Sequence, residues 1–244
     1  MIKLTNKDCV VGLRELEDNS VDLIVADPPY FINYDGGKGW DGCWDSEDHY
    51  LDWCEEWTDE CIRVLKDNSV IVVFGTLKQP AFLKYRLSVN QKLNSLPEII
   101  WSYNWGGRTK KNFAHKHEVM WVWSKGKDFL FNSDDVRIPR KVGKNLVTGE
   151  LFEKGTIPTC VWEKNNHTTS KEYVNWHPTQ KPLMILERLI KAYSNEGDTV
   201  LDPFSGSAST LIAAENCGRN SVGFELDEDY YTMSLDRIKN LCQS

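Results

Sequence analysis

Two hydrophobic periods alternate along this chain of 244 residues. Val21 to Ala26 is apolar on both faces apart from Asp22, the pattern of a strand covered from both sides in a parallel sheet. Val70 to Phe74, closed by Gly75, repeats it, and Thr199-Val200-Leu201 and Ser221 to Phe224 are shorter runs of the same kind. Ile2 to Leu4 reads as an edge strand, while Glu98 to Tyr103 and Val119 to Trp123 concentrate β-formers and aromatics. Helical spacing fills the gaps. Beyond Ser46, residues Tyr50, Trp53, Cys54, Trp57, Cys61, Val64 and Leu65 share one face, with Asp52, Glu55, Glu56, Asp59 and Glu60 opposite. The tryptophans of that face read as core. Shorter helices are expected over 10–17, 78–90 and 228–240, and after the loop at 202–210 through Glu215. Leu183, Leu186, Leu189, Ile190 and Tyr193 give another apolar face, with Thr179 as its cap and Pro182 in its first turn. The sum is an α/β fold, a mostly parallel central sheet of about seven strands with helices on both faces.

Two stretches lack a period. The glycine-rich segment 31–45 reads as a mobile loop. Residues 125–175 hold only scattered apolar pieces such as Phe129-Leu130-Phe131 and Thr159-Cys160-Val161-Trp162. That much irregular chain inside a compact protein is expected to work as a lid or a recognition segment.

Composition changes the picture little. Hydrophobic residues at 41% describe a folded soluble protein. No run of about eighteen apolar residues exists, so no membrane span is expected. The first eight residues carry no long apolar segment, and a cytoplasmic location is the expectation. The seven cysteines form no Cys-x-x-Cys pair, and reduced thiols with no metal site are expected. Charge changes it more. The net charge is −7, yet residues 101–145 carry ten Lys and Arg against four acids, while residues 1–66 carry six against sixteen. A basic middle in an acidic chain is a candidate polyanion footprint, or an ordinary solvated loop.

Candidate chemistry sits at two strand ends. Asp27-Pro28-Pro29-Tyr30 puts a carboxylate, a free backbone carbonyl and a flat ring where the Val21 to Ala26 strand stops. In open α/β sheets that edge is where ligands bind, although Pro-Pro also ends strands in plain turns. Further on, the strand at Leu201 runs into Asp202-Pro203-Phe204-Ser205-Gly206-Ser207, and Glu225 ends the next strand about twenty residues later. Small residues let a ligand approach the backbone, and an acid at that distance can accept from two ribose hydroxyls. The three-glycine nicotinamide spacing is absent.

Taken together and in order, Asp27 to Tyr30, the strand from Asn68 to Gly75, the region Trp101 to Lys125, His177 to Pro182, Asp202 to Thr210 and Glu225 carry a specific resemblance. The chain resembles the S-adenosylmethionine-dependent DNA amino-methyltransferases of the permuted, beta-type group, whose catalytic motif precedes the cofactor motif. The resemblance covers nearly the whole chain apart from 130–170. It implies a Rossmann-like methyltransferase fold with circularly permuted motif order. Residues 1–124 would be the catalytic half, 125–175 a target-recognition insertion and 176–244 the cofactor-binding half. Asp202, Pro203, Phe204, Ser205, Gly206 and Ser207 would surround the cofactor's methionine portion. Glu225 would hold its ribose, Asp8 its adenine amino group, and Thr179 and Lys181 its carboxylate. Two departures stand out: Ala208 where the family usually has glycine, and Lys7 in place of the glycine before Asp8.

The resemblance also implies a mechanism. The target base is flipped from the duplex, Tyr30 stacks on it with Phe31 lining the same pocket, and Asp27 with the Pro28 carbonyl accepts hydrogen bonds from the amino group. Pro29 completes this catalytic motif. Asp in the first position favours adenine, whereas many cytosine-amino enzymes carry Ser there. Arg108, Lys110, Lys111, Arg137, Arg140 and Lys141 are expected at the phosphates of double-stranded DNA. A homodimer and functional pairing with a restriction nuclease are further expectations. The alternatives are a cytosine amino-methyltransferase, a catalytically silent DNA-binding relative, or methylation of RNA or a protein amide. Methylation of the cytosine ring carbon is excluded by the lack of a Pro-Cys dipeptide.

Overall fold

The structure is a computed structural model that describes residues 1–76, 80–89, 93–104, 109–139, 155–164 and 172–242. Five strands run parallel in the order β1 (Ile2–Asn6), β9 (Asn220–Glu225), β8 (Thr199–Asp202), β2 (Val21–Ala26) and β3 (Leu65–Gly75). Beside β3 lies β6 (His117–Ser124), antiparallel to it, then β5 (Ile99–Ser102) and β7 (Val161–Glu163). The two-residue β4 (Asn94–Ser95) pairs with the far end of β6. The seven strands legible in the sequence are all present. The two additions, β4 and β7, are too short to carry a period of their own.

The helices are α1 (Cys9–Arg14), α2 (Glu47–Val64), α3 (Pro80–Val89), α4 (Leu183–Tyr193), α5 (Ser209–Asn216) and α6 (Glu228–Cys242). Alternation along β2, β3 and β6 sends side chains to two cores. Ile24, Ile71, Val73 and Trp121 pack with Leu13, Trp57, Cys61 and Leu87 from α1, α2 and α3. Leu23, Val25, Val72 and Met120 pack with Ile185, Leu189 and Ala213 from α4 and α5 on the other face. Cys54 and Cys61 are fully buried, core residues as their spacing suggests. Asp22, the one polar residue of β2, accepts from the Thr199 backbone at 3.0 Å and pairs with Lys66 at 2.6 Å. Its charge is therefore matched where β2 meets β8.

Ser46 caps α2 by accepting from the His49 N–H. The corresponding expectation for α4 is corrected. Its first residue is Leu183, with Pro182 at the cap position, and Thr179 lies outside the helix. Proline disfavours helical geometry in the residue before it, so the helix cannot reach back through Lys181. The Leu183 N–H donates instead to the carboxylate of Glu172 at 3.0 Å. No described helix is long and apolar enough to cross a membrane.

Candidate active site

Chain order reverses between β8 and β2: from β8 the sheet grows outward to β9, and from β2 outward to β3. A crevice opens at such a switch point, beyond the carboxyl ends of the strands. Asp27 follows β2 there, Asp202 ends β8, Glu225 ends β9, and Asp8 follows β1. Two cavities occupy the crevice. The larger, about 600 Å³, is lined by Asp8, Trp53, His177, Asp202, Ser205 and Glu225 among others. The smaller, about 260 Å³, is lined by Pro28, Tyr30, Trp101, Tyr103, His115 and Glu118 among others. Asp27, Trp40, Thr179, Gln180 and Lys181 line both.

The wall of the larger cavity is held from behind. Ser205 N–H donates to the Phe224 carbonyl at 2.9 Å, tying the loop after β8 to β9. Glu225 accepts from Gly206 N–H at 2.7 Å with one oxygen and from Asp227 N–H at 2.8 Å with the other. From α6, Arg237 donates to the Ser207 carbonyl at 2.5 Å and Ser234 to the Gly206 carbonyl at 2.6 Å. Gly206 has a φ of +48°, and a Cβ there would stand 2.6 Å from His177 Nε2. A side chain would collide with the opposite wall. Ala208 takes φ +59° at the start of α5, the left-handed region a glycine would use, so its methyl group does not shift that backbone to another conformation.

Burial sets the charges. Asp202 is 3% exposed, and its desolvation, with the charges of Asp27 and Glu225 nearby, raises its pKa to about 7. Burial also raises Glu225 above the usual carboxylate range and lowers His177 to about 4, which leaves that imidazole neutral at physiological pH. Asp8 caps α1, accepting from Val10 and Val11 N–H at 2.9 and 3.1 Å through one oxygen. Lys7 turns away to Glu15 at 2.6 Å.

At the seam of the cavities stands a four-residue network. Lys181 Nζ lies 2.5 Å from Asp27 Oδ2 and 3.4 Å from Glu118 Oε2. Tyr30 donates its hydroxyl to Asp27 Oδ1 at 2.7 Å, with Glu118 Oε2 at 3.3 Å. Burial opposes the Lys181 charge, but the two carboxylates override it and hold its pKa above the ordinary value. Tyr30, desolvated beside the same acids, is held well above the ordinary phenol range and stays protonated. The Pro29 carbonyl accepts from Tyr50 at 2.8 Å; among the described residues no donor reaches the Pro28 carbonyl. The structure thus brings Asp27, Pro28, Tyr30, Thr179 and Lys181 together, and places the Lys181 ammonium on the Asp27 carboxylate.

Phe31 is corrected. It stacks on Tyr50, with ring centroids 5.3 Å apart, and belongs to an aromatic cluster with Trp44 and Trp53 rather than to the smaller cavity. Trp53 also reaches the larger cavity, so that face of α2 is core and cavity wall at once. The loop at 31–45 is anchored although irregular. Asp41, 1% exposed, accepts from the N–H groups of Tyr30, Phe31, Ile32 and Tyr34 at 2.6–3.1 Å. Lys38 pairs with Asp227 and Asp229 at 3.2 and 2.6 Å.

Asp41, Glu118, Ser234 and Arg237 are the residues a sequence reading misses. Glu118 depends on strand direction. Because β6 runs antiparallel, its start rather than its end meets the ligand edge, and Glu118 is the second residue of β6. Of the expected DNA contacts, Lys110 and Lys111 are exposed, beside Phe113, itself 96% exposed. Arg137 pairs with Asp134 at 2.7 Å. Arg108, Arg140 and Lys141 lie outside the described residues.

With this geometry in hand, comparison with known proteins is specific. A DNA methylase family model of the N6/N4 type matches residues 21–236. The type II methyltransferase M.HpaI of Haemophilus parainfluenzae is 32% identical over 97% of this chain and 74% of its own. The DNA adenine methyltransferase YhdJ of Escherichia coli K12 is 33% identical over 95% of this chain and 80% of its own. Among solved structures, the M1.HpyAVI–SAM complex superposes with a TM-score of 0.70 at 23% identity, covering 98% of this chain and 99% of its own. The cytosine-N4-specific PvuII DNA methyltransferase superposes at 0.74 with 17% identity, over 99% and 91%. The fold is that of the Rossmann-like methyltransferases. The chain belongs to the N6/N4 DNA methylase family.

Proposed function

We propose that the protein transfers a methyl group from S-adenosylmethionine to the exocyclic amino group of adenine in double-stranded DNA, with the larger cavity for the cofactor and the smaller for the flipped base. The observation that carries this is Asp27 on the seam of the two cavities, beside a Pro28 carbonyl free to accept.

The larger cavity suits the cofactor by its charge and its cradle. S-adenosylmethionine carries a sulfonium and an ammonium against one carboxylate, and the cavity's acids, buried Asp202 with half-buried Asp27 and Glu225, suit a cationic ligand. Asp202 and the backbone from Pro203 to Ser207 would hold the methionine portion, Glu225 the ribose hydroxyls, and Asp8 the adenine amino group through its uncapped oxygen. Thr179 remains at the cofactor carboxylate, while Lys181 is assigned to Asp27. When bound, the cofactor supplies a methyl group on sulfur, open to direct displacement. Asp27 and the Pro28 carbonyl accept from the target amino group, localise its lone pair and orient it, and positioning supplies most of the acceleration. Tyr30 presents its ring to the base, a stacking contact worth roughly 1–3 kcal/mol.

Adenine is favoured by Asp rather than Ser at 27, and by the adenine methyltransferase among the relatives. The motif order, Asp27 to Tyr30 before Asp202 to Ser207, is that of the permuted group. Residues 125–175 are assigned to target recognition, between a catalytic half at 1–124 and a cofactor half at 176–244. Support comes from β7, which pairs with β5 so that Trp162 lies beside Trp101 of the smaller cavity. Lys110 and Lys111, with Arg108, Arg140 and Lys141, are assigned to phosphates, and Phe113 to the base stack. The type II relatives also motivate pairing with a restriction nuclease. The test is nucleoside analysis of DNA incubated with the protein and methyl-labelled cofactor. N6-methyladenine is expected; N4-methylcytosine would transfer the assignment to cytosine, and label in RNA or protein alone would overturn it.

A further inference from the structure

A methyl group arriving on an amino nitrogen leaves that nitrogen with a proton too many. As the nitrogen lone pair takes the methyl carbon, the carbon–sulfur electron pair stays on sulfur, and the positive charge passes to the nitrogen. The nitrogen–hydrogen pair must then return to nitrogen as the proton departs. Asp27 is the nearest carboxylate, but it cannot keep a proton and accept from the next amino group.

The structure offers it an outlet. Tyr30 has one hydroxyl hydrogen and two carboxylates in reach, Asp27 Oδ1 at 2.7 Å and Glu118 Oε2 at 3.3 Å. That hydrogen serves Asp27 while Asp27 is charged. Once Asp27 is protonated it becomes a donor to the Tyr30 oxygen, and the hydroxyl hydrogen is free to turn to Glu118. Tyr30 gives one proton and receives one, so no phenolate forms. The other neighbours are poorer acceptors. Lys181, 2.5 Å from Asp27, already carries its full set of protons, and no hydrogen bond joins His177 to Asp27. Glu118 itself is 15% exposed and lines the smaller cavity, so water reaches it once the product base has left. Lys181 lies 3.4 Å away and steadies the charged form that must be regenerated.

Resting on the methyltransferase reading of this site, we propose that Glu118 is the terminal proton acceptor of the reaction, receiving through the Tyr30 hydroxyl the proton that Asp27 takes from the methylated amine.

Glu118→Gln keeps an oxygen for Lys181 and Tyr30 but removes the basic site, and Tyr30→Phe keeps the ring but removes the relay. Each is expected to lower kcat by about 10- to 100-fold, and the double variant to be no slower than the slower single variant. DNA affinity measured with S-adenosylhomocysteine, and flipping followed by 2-aminopurine fluorescence, are expected to stay within about two-fold of wild type in Glu118→Gln. In Glu118→Ala, added formate and acetate should restore turnover, with acetate, the stronger base, the more effective at equal concentration. The groups facing Glu118 are Asp27, Tyr30 and Lys181, with Tyr103 nearby, just past the end of β5; rescue that follows carboxylate basicity separates proton acceptance from a mere counter-charge for Lys181. Unchanged kcat in Glu118→Gln, additive losses in the double variant, or rescue indifferent to basicity overturns the relay while leaving the underlying reading intact. A wild type that methylates no DNA overturns both.

Discussion

Asp202 is a carboxylic acid poised where a small change in pH alters its charge. Burial and the neighbouring Asp27 and Glu225 raise it to about 7 in the free protein. Since its folded value lies above the ordinary one, the folded chain binds a proton there that the unfolded chain releases. Its contribution to stability is thus largest below the ordinary carboxylate range and is lost as pH rises toward 7. The proposed role of Asp202, holding the cofactor's ammonium, requires the opposite state. Below pH 7 the carboxyl must lose a proton before it can hold the cation, so cofactor affinity should fall up to about ten-fold per pH unit on going down. Calorimetric titration with S-adenosylmethionine between pH 5.5 and 8 measures this, and Asp202→Asn should flatten the profile; an equally steep profile in the variant would remove Asp202 from that role. Asp41 works differently, by arranging backbone. Asp41→Ala strands the N–H groups of Tyr30, Phe31, Ile32 and Tyr34, a loss of order 2–4 kcal/mol. Denaturant melts should show it, with Asp41→Asn the milder; stability within 0.5 kcal/mol, roughly the scatter of surface substitutions, would contradict the account.

At the scale of elements, strands with both faces covered were legible because each carries an unbroken apolar run, and the amphipathic α2 because charge opposes it along its whole length. Asp27, Asp202 and Glu225 could be read as candidate site residues because each lies at the end of such a run, and all three line the larger cavity. What stayed hidden depended on pairing. Glu118 reaches the site only because β6 is antiparallel, and no local pattern fixes strand direction. Asp41 sits in a loop whose fold is set by one side chain capturing N–H groups up to eleven positions away. The start of α4 was misplaced because Thr179 and Pro182 look like a cap and a first turn, whereas the restriction that proline imposes on Lys181 pushes the helix onward to Leu183. The segment between β5 and β6 shows the same limits. Its charge was evident, but not that Phe113 stands 96% exposed beside Lys110 and Lys111. Neutralising Arg108, Lys110 and Lys111 together should reduce the slope of log affinity against log salt by about 3. Phe113→Ala should weaken binding without changing that slope. Fluorescence anisotropy across a salt series distinguishes them; an unchanged slope in the triple variant would remove these cations from the phosphates.

Across the whole molecule, the order of the sheet explains why motifs 175 residues apart meet at one cavity. The switch between β8 and β2 sets the loop after β8 against Asp27, and the antiparallel β6 closes the far side with Glu118. Two cavities result, one acidic and suited to a cationic methyl donor, one aromatic-walled and suited to a base, joined where Asp27 meets Lys181. The central claim is that methyl transfer passes across this seam under the control of Asp27. Its most direct test is single-turnover transfer from methyl-labelled S-adenosylmethionine to DNA by Asp27→Ala, with cofactor affinity measured on the same preparation. The account predicts a rate lowered by about 10³-fold or more, which is over 4 kcal/mol of barrier, with cofactor affinity within a few-fold of wild type. Near-normal transfer by Asp27→Ala would contradict it.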